Sequence, residues 1–222
     1  MDADDERTEV PSLPPGRARA AWQAWLRALS DDAEAALAAA LTYEALGPAE
    51  RDAWLDALDE DAPQILAPRE SLYAPLLLVE EDLERRARIA ASCGDAPLRG
   101  TPRAWTGQRE DGVRVYVVVA PLWLRFVETL RCGWHSEQGF VFAEHDPLRA
   151  SDDIDQVFAG SGAFRADGHR GAELERTDLS WVVEDLAHAI LETLRASREL
   201  PAALKAFAYL FTPEQQAICA AP

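Results

Sequence analysis

The chain has 222 residues, 48% of them hydrophobic, and its 39 acidic and 22 basic side chains give a formal net charge of -17. This length and apolar content predict a globular protein and exclude disorder as the default. The negative charge argues against nucleic acid as a partner, because phosphate binding depends on clustered Lys and Arg.

The N-terminal residues and the apolar runs predict a cytoplasmic protein that has no membrane partner. The segment Met1–Arg7 is acidic and lacks the basic start and apolar core of a secretory signal. The longest apolar run, Tyr116–Leu124, is about half of the ~18 residues that a membrane-spanning helix requires. Cys93, Cys132 and Cys219 are odd in number and widely spaced, which favours reduced thiols over a disulfide framework.

The first 95 residues predict an acidic, Pro-rich tail over residues 1–16 and a helical bundle over residues 17–95. The apolar spacing predicts a first helix from Ala18. A second helix is expected to be capped by Ser30 and stopped by Gly47–Pro48, and a third begins near Ala49. The apolar residues expected to face the core are Trp22, Trp25, Leu26, Leu29, Leu37, Leu41, Trp54, Leu55 and Leu58.

A longer helix is predicted to begin at Pro75, because proline is favoured in a first helical turn. Its inward residues would be Leu76, Val79 and Leu83. Three acid–arginine pairs with i,i+4 spacing would support its surface, namely Glu81–Arg85, Asp82–Arg86 and Glu84–Arg88. Residues 94–102 contain two prolines and two glycines, so they predict a connector and the best place for a boundary.

The segment Val113–Val119 alternates as a strand whose two faces are both apolar, and Gly139–Ala143 predicts a second short strand. The intervening segment Leu122–Arg131 fits either a helix between Pro121 and Gly133 or a strand, and the helix is the favoured interpretation. Because two strands are not stable alone, a further strand is expected near Trp105 or from another chain.

The C-terminal part predicts helices that cover the sheet. Ser180 is expected to begin an amphipathic helix, and Pro201 a second one. The inward residues of these helices would be Val182, Leu186, Ala189, Ile190, Leu194, Leu204, Phe207 and Leu210. Three local patterns complete this region: a capped turn over Ser151–Phe158, a glycine-flanked loop after Gly160–Ser161–Gly162, and a capping box over Thr212–Gln215.

One group of residues could carry chemistry, because Cys132, His135 and His145 are types that bind zinc or form a thiol–imidazole pair. Zinc sites usually show a repeated Cys-x2-Cys or His-x3-His spacing, and only one half of such a pattern is present. The favoured interpretation is therefore a buried cysteine at a helix end and two surface histidines in loops. Asp146 and the acids after Ser151 lack the pattern of a calcium loop. The sequence therefore predicts no catalytic residue, no metal and no cofactor.

Together these patterns predict an α+β protein, with an N-terminal helical bundle followed by a small sheet packed with C-terminal helices. The α+β region would span 100–222, with one continuous domain over 17–222 as the alternative. The net charge suggests an adaptor, regulator or immunity-type protein that binds another, basic protein, or a homo-oligomer. The candidate interaction residues are Trp105, Trp123, Arg125, Arg131, Cys132, Trp134, His135 and His145.

Two other functions remain open. One is a small metal- or thiol-dependent enzyme that uses Cys132, His135 and His145. The other is a polyanion mimic that presents the acids of the third helix, which are Asp52, Asp56, Asp59, Glu60 and Asp61.

Overall fold

A computed structural model describes residues 15–95, 97–151 and 172–211, and it has the predicted α+β architecture. N-terminal helices and C-terminal helices flank an antiparallel sheet of five strands within these ranges. Residues 1–14 of the predicted tail lie outside the described residues, and Pro15 already belongs to a helix. No helix in the described ranges is long and apolar enough to cross a membrane.

The three predicted N-terminal helices are present as α1 (Pro15–Ala28), α2 (Ala33–Glu44) and α3 (Pro48–Asp61). The cap of α2 was predicted wrongly, because Asp32 and not Ser30 accepts hydrogen bonds from the amides of Glu34 and Ala35. Ser30 instead donates its hydroxyl to the carbonyl of Arg27 at the end of α1. Its position therefore ends one helix rather than beginning the next.

The predicted long helix from Pro75 does not form. Pro75 lies in a short 3-10 helix, Ala74–Leu78, which follows α4 (Arg69–Tyr73), and α5 (Leu83–Ser92) begins separately after a turn. Asp82 caps α5 by accepting a hydrogen bond from the Arg85 amide. Residues 79–82 are not helical, so the predicted pairs Glu81–Arg85 and Asp82–Arg86 do not form, and Leu83 is 81% exposed instead of buried. Arg88 pairs with Asp56 and Asp59 instead of Glu84.

The sheet has the strand order β4-β3-β2-β1-β5, and all of its neighbouring pairs are antiparallel. The strands are β1 (Arg103–Gln108), β2 (Arg114–Pro121), β3 (Phe126–His135), β4 (Gly139–Ala150) and β5 (Glu175–Thr177). The predicted strands correspond to β2 and β4, and the third strand expected near Trp105 is β1 of the same chain. This meander leaves Trp105 paired with Val117 of β2.

The favoured helix over Leu122–Arg131 is wrong, because most of this segment belongs to β3. Leu124 has a φ of +53°, a left-handed conformation that an α-helix of L-residues cannot continue through. The chain therefore turns sharply between β2 and β3, and the Leu122 amide donates to the Phe126 carbonyl across the turn. The apolar spacing fitted both structures, and pairing with β2 decides between them.

Three clusters of buried side chains form the core. The first lies among the N-terminal helices and includes Trp123 and Phe126 from the β2–β3 turn, so the helices and the sheet share apolar contacts. The second lies on the sheet face that includes Tyr116 and Cys132, beneath the C-terminal helices. The third lies on the opposite sheet face and includes Val117.

The predicted late helix is α6 (Leu179–Arg195), and it packs on the sheet as expected through Val182 and Leu186. Its cap is Asp178, and Leu194 is exposed rather than inward. The helix predicted from Pro201 is a 3-10 helix over Ala202–Phe211, in which Phe207 is fully buried. The patterns predicted over 152–171 and 212–215 lie outside the described residues.

Candidate functional site

The predicted Cys132–His135 pair is separated by the geometry of β3. Two residues that are three positions apart on a strand lie about 10 Å apart and point to opposite faces of the sheet. Cys132 is on the face covered by α6, and His135 is near the end of β3, where its Nδ1 accepts from the Glu137 amide at 3.2 Å. These two side chains therefore do not form a thiol–imidazole pair, and neither lies at a helix end or in a loop.

The Cys132 thiol is enclosed in the second core cluster and has no exposed surface. Burial raises the pKa of Cys132 to about 12, so the thiolate form is suppressed at neutral pH. Cys93 is also buried, and burial together with the nearby Glu70 carboxylate raises its pKa to about 11. Neither thiol has the electropositive, accessible surroundings of a nucleophile.

His145 lies in β4 on the same sheet face as Cys132, and its imidazole is hydrogen-bonded to Glu128. Its Nε2 donates to Glu128 Oε1 at 2.9 Å, and its ring packs edge-on against Phe207. The other oxygen of Glu128 accepts from Arg99 at 3.0 Å. Because both carboxylate oxygens are engaged, this group joins β3, β4 and the connector rather than leaving a free base.

No group of three or more His, Cys, Asp or Glu side chains in the described part of the chain is arranged to hold a metal ion. Asp146, the neighbour of His145, points to the opposite sheet face. There it accepts from Arg131 at 3.0 Å and from Arg149 at 3.3 Å. The adjacent residues that suggested a metal site are thus divided between the two faces.

The other candidate residues are dispersed over the molecule. Trp105 and Trp123 are buried in two different core clusters, and Trp134 is partly buried against a third. Arg125 is close to Asp31, 3.2 Å away, at the junction between the sheet and the N-terminal helices. Burial of Trp105 and Trp123 assigns these two side chains to the core instead of to a contact face.

Sequence reasoning missed a carboxylate, Glu80, that is only 1% exposed in the N-terminal half. Glu80 follows the apolar segment Leu76–Val79, and its Oε2 accepts from the Tyr43 hydroxyl at 2.7 Å and from Arg85 Nε at 2.9 Å. The Asp82 amide and Arg51 donate to Oε1. The sequence signal would have been an acid at the end of an apolar run, with an arginine five residues later.

The hydrogen bonds to Glu80 determine its ionisation. Burial by itself would raise the pKa of Glu80, but the bonds from Tyr43, the Asp82 amide and Arg85 outweigh burial and lower the pKa to about 2. The same pairing raises the pKa of Tyr43, for which burial is the larger cause. Glu80 is therefore a buried anion at every pH at which the protein is expected to work.

The turn that holds Glu80 forms one wall of an open cleft, which we call the Leu83 cleft. Its lining residues come from the end of α2, the 3-10 helix before the turn, and the start of α5: Glu44, Leu78, Val79, Glu80, Glu81, Leu83 and Arg86. Leu83 is 81% exposed at its edge, and Leu41 lies three residues before Glu44 on α2 and is also exposed. The cleft thus combines apolar side chains with carboxylates.

Two of the three carboxylates that line the Leu83 cleft, Glu44 and Glu81, have no ion-pair partner in the described part of the chain. Arg86 also lines the cleft and keeps its positive charge, while its Nη1 donates to the carbonyl oxygens of Leu77 and Glu80 and so holds it against the turn. Glu44 is at the C-terminal end of α2, where a negative charge is unfavourable to the helix dipole, so helix stability does not account for it.

The acids of α3 are arranged differently. Four of them lie close to arginines of the same chain: Asp52 near Arg85, Asp56 and Asp59 near Arg88, and Asp61 near Arg19. These contacts reduce the negative potential of α3. Glu44 and Glu81 of the Leu83 cleft form no ion pair among the described residues, and neither does Glu60 of α3.

Comparisons of the chain with known protein families, with curated proteins and with solved structures each return no match.

Proposed function

We propose that this chain is an adaptor, regulator or immunity-type protein that binds a basic protein through the acidic surface of its N-terminal half. The observation that carries the proposal is the Leu83 cleft. There, an exposed leucine lies beside two carboxylates, Glu44 and Glu81, that have no basic partner among the described residues. An apolar contact rimmed by charge is typical of a protein-binding surface.

The distribution of charge supports a basic partner. Residues 15–95 contain 16 acids and eight arginines, a net charge of -8, whereas residues 97–151 have a net charge of +1. A surface with one sign of charge attracts a partner of the opposite sign and increases the rate of association. We therefore expect binding that weakens steeply with salt.

The alternatives receive less support from the same residues. A thiol enzyme would use Cys132, whose thiol is enclosed and has a raised pKa. A polyanion mimic would present the acids of α3, four of which lie beside arginines of the chain. The proposed protein binding uses Glu44 and Glu81, which line the cleft and form no ion pair among the described residues.

The test is capture of a partner on the immobilised full chain from a lysate of the cells that produce it. We expect a protein to be retained in stoichiometric amount at about 0.05 M salt and released at about 0.5 M, because salt screens surface charge. The double variant Glu44→Gln/Glu81→Gln should retain clearly less of it.

The matched control is Glu110→Gln/Glu137→Gln, which removes the same charge from exposed positions outside the N-terminal half and should retain the partner like the native chain. Failure of the native chain to retain any protein would contradict the proposed function. Equal loss in both variants would show that net charge acts without the cleft.

A further inference from the structure

The occupant of the Leu83 cleft can be described more closely from its walls, and this step rests on the proposed function. We infer that the cleft binds a basic amphipathic helix of the partner, with one apolar side chain against Leu83 and Lys or Arg side chains beside Glu44 and Glu81. The inference follows from the backbone of the turn, the apolar residues and the charge.

The backbone of the turn is already engaged in hydrogen bonds. The amides of Val79 and Glu80 both donate to the Leu76 carbonyl, and the Asp82 amide donates to the Glu80 side chain. The Leu77 and Glu80 carbonyls accept from Arg86. An extended peptide recognised by main-chain pairing would need such groups to be free, so recognition here depends on side chains.

The cleft is held in shape before any partner binds. The Glu80 carboxylate joins the turn to Tyr43 of α2 and to Arg85 of α5, two of the elements that line the cleft. A surface fixed in this way loses little conformational entropy on binding. The backbone that carries Leu78, Val79 and Leu83 is therefore held in one arrangement.

The apolar and charged residues of the cleft match the two faces of an amphipathic helix. A helix that has leucines at i, i+3 and i+4 presents an apolar stripe about as wide as one groove, with basic residues along both sides of the stripe. Leu78, Val79 and Leu83 would contact the stripe, and Glu44 and Glu81 its basic border. An acidic helix would bring its carboxylates against Glu44 and Glu81, and an uncharged helix would leave both of them without a partner.

The probe is a synthetic peptide of about 18 residues with leucines at helical spacing and lysines elsewhere, long enough for a marginal helix. Two further peptides serve as comparisons: a scrambled peptide of the same composition, and one in which each lysine is replaced by glutamate. Fluorescence anisotropy measures the binding of each labelled peptide to the full chain. Only the amphipathic lysine peptide should bind.

The variant that tests the cleft is Leu83→Ser, and Leu66→Ser is its matched control, since Leu66 is 96% exposed and does not line the cleft. We expect Leu83→Ser to weaken peptide binding about tenfold, because it removes the apolar surface that the peptide would cover. Leu66→Ser should leave the affinity unchanged. Circular dichroism checks that both variants are folded.

Several outcomes would overturn the inference. These are equal binding of the scrambled peptide, no effect of Leu83→Ser, and no binding of the lysine peptide. Concentration-dependent dimerisation that Leu83→Ser abolishes would make a second copy of this chain the occupant instead. If the captured partner depends on Glu44 and Glu81 but the lysine peptide does not bind, the inference fails and the proposed function stands.

Discussion

The two halves of the molecule each bury a glutamate, and they stabilise it differently. Glu80 in the helical half is 1% exposed and is joined to a tyrosine, two arginines and a backbone amide. Glu128 in the sheet is 4% exposed and is joined to His145 and Arg99. The first group connects α2, α3 and α5, whereas the second connects neighbouring strands that also share backbone bonds. The helical half therefore depends more on its buried charge.

The largest effect is expected for Glu80→Gln, which should lower the free energy of unfolding by about 3 kcal/mol, because it leaves Arg51 and Arg85 without their buried acceptor. Urea denaturation followed by circular dichroism measures this loss. A loss below that of Glu128→Gln would contradict the comparison. Tyr43→Phe, which removes a single donor to Glu80, should give a smaller loss in the same direction.

The effect of Glu80 should also depend on pH, and the sign follows from its lowered pKa. Its usual value of 4.5 falls to about 2 in the folded protein, so the unfolded chain binds a proton first as the pH decreases. The stabilisation is complete above pH 4.5 and disappears towards pH 2. The difference in unfolding free energy between the native chain and Glu80→Gln should therefore shrink over this interval, and a constant difference would refute the assignment.

The second effect concerns Asp185 on α6, which connects that helix to the sheet. Its carboxylate accepts from Arg114 at 2.5 and 2.6 Å and from the Tyr116 hydroxyl at 2.6 Å. Asp185→Asn should cost roughly 2 kcal/mol, since it weakens the charge-assisted bonds from Arg114 and Tyr116 at a partly exposed site. Chemical denaturation checks the value. An unchanged stability would mean that apolar packing alone holds α6 on the sheet.

A smaller effect is expected for Glu128→Gln, about 1 kcal/mol, because Arg99 is half exposed and regains water when the charge is removed. The strands keep their backbone pairing in this variant. Equal losses for Glu128→Gln and Glu80→Gln would remove the distinction between the two halves. The same denaturation experiment distinguishes these outcomes.

The smallest effect is expected for thiol labelling. Each half of the molecule buries one cysteine, Cys93 in the helical half and Cys132 in the sheet. Cys93 and Cys132 should both resist a thiol-specific reagent in the folded protein, because burial raises their pKa values to about 11 and about 12. The measurement uses the Cys219→Ser variant, so that only these two thiols are counted. Rapid labelling of Cys132 before unfolding would support the thiol-dependent alternative.

Local patterns in the sequence were sufficient for much of the fold. The alternation over Val113–Val119 predicted β2, and helical spacing predicted α1, α3 and α6, because each pattern depends on neighbouring residues. The segment Leu122–Arg131 was mispredicted since its apolar spacing suits two structures, and only pairing with β2 distinguishes them.

The surroundings of Glu80 could not be predicted from local patterns, because they join residues that are far apart in the sequence. The partners of Glu80 include Tyr43 and Arg51, which are 37 and 29 residues away. The pattern at residues 81–88 instead suggested i,i+4 pairs, because the helix was assumed to begin at Pro75. Moving the start of α5 to Leu83 changes which arginines meet which acids, and it is this shift that exposes Leu83.

The position of β5 at the edge of the sheet has a consequence for the order of folding. Strands β1 to β4 are joined by short turns, but β5 pairs with β1 across a long intervening chain, and the Thr106 and Thr177 hydroxyls that meet at 2.8 Å are 71 residues apart. Closing such a long loop costs more entropy than closing a hairpin. The four-strand meander should therefore assemble before β5 docks, and the amides of residues 175–177 should exchange with solvent sooner than those of β2.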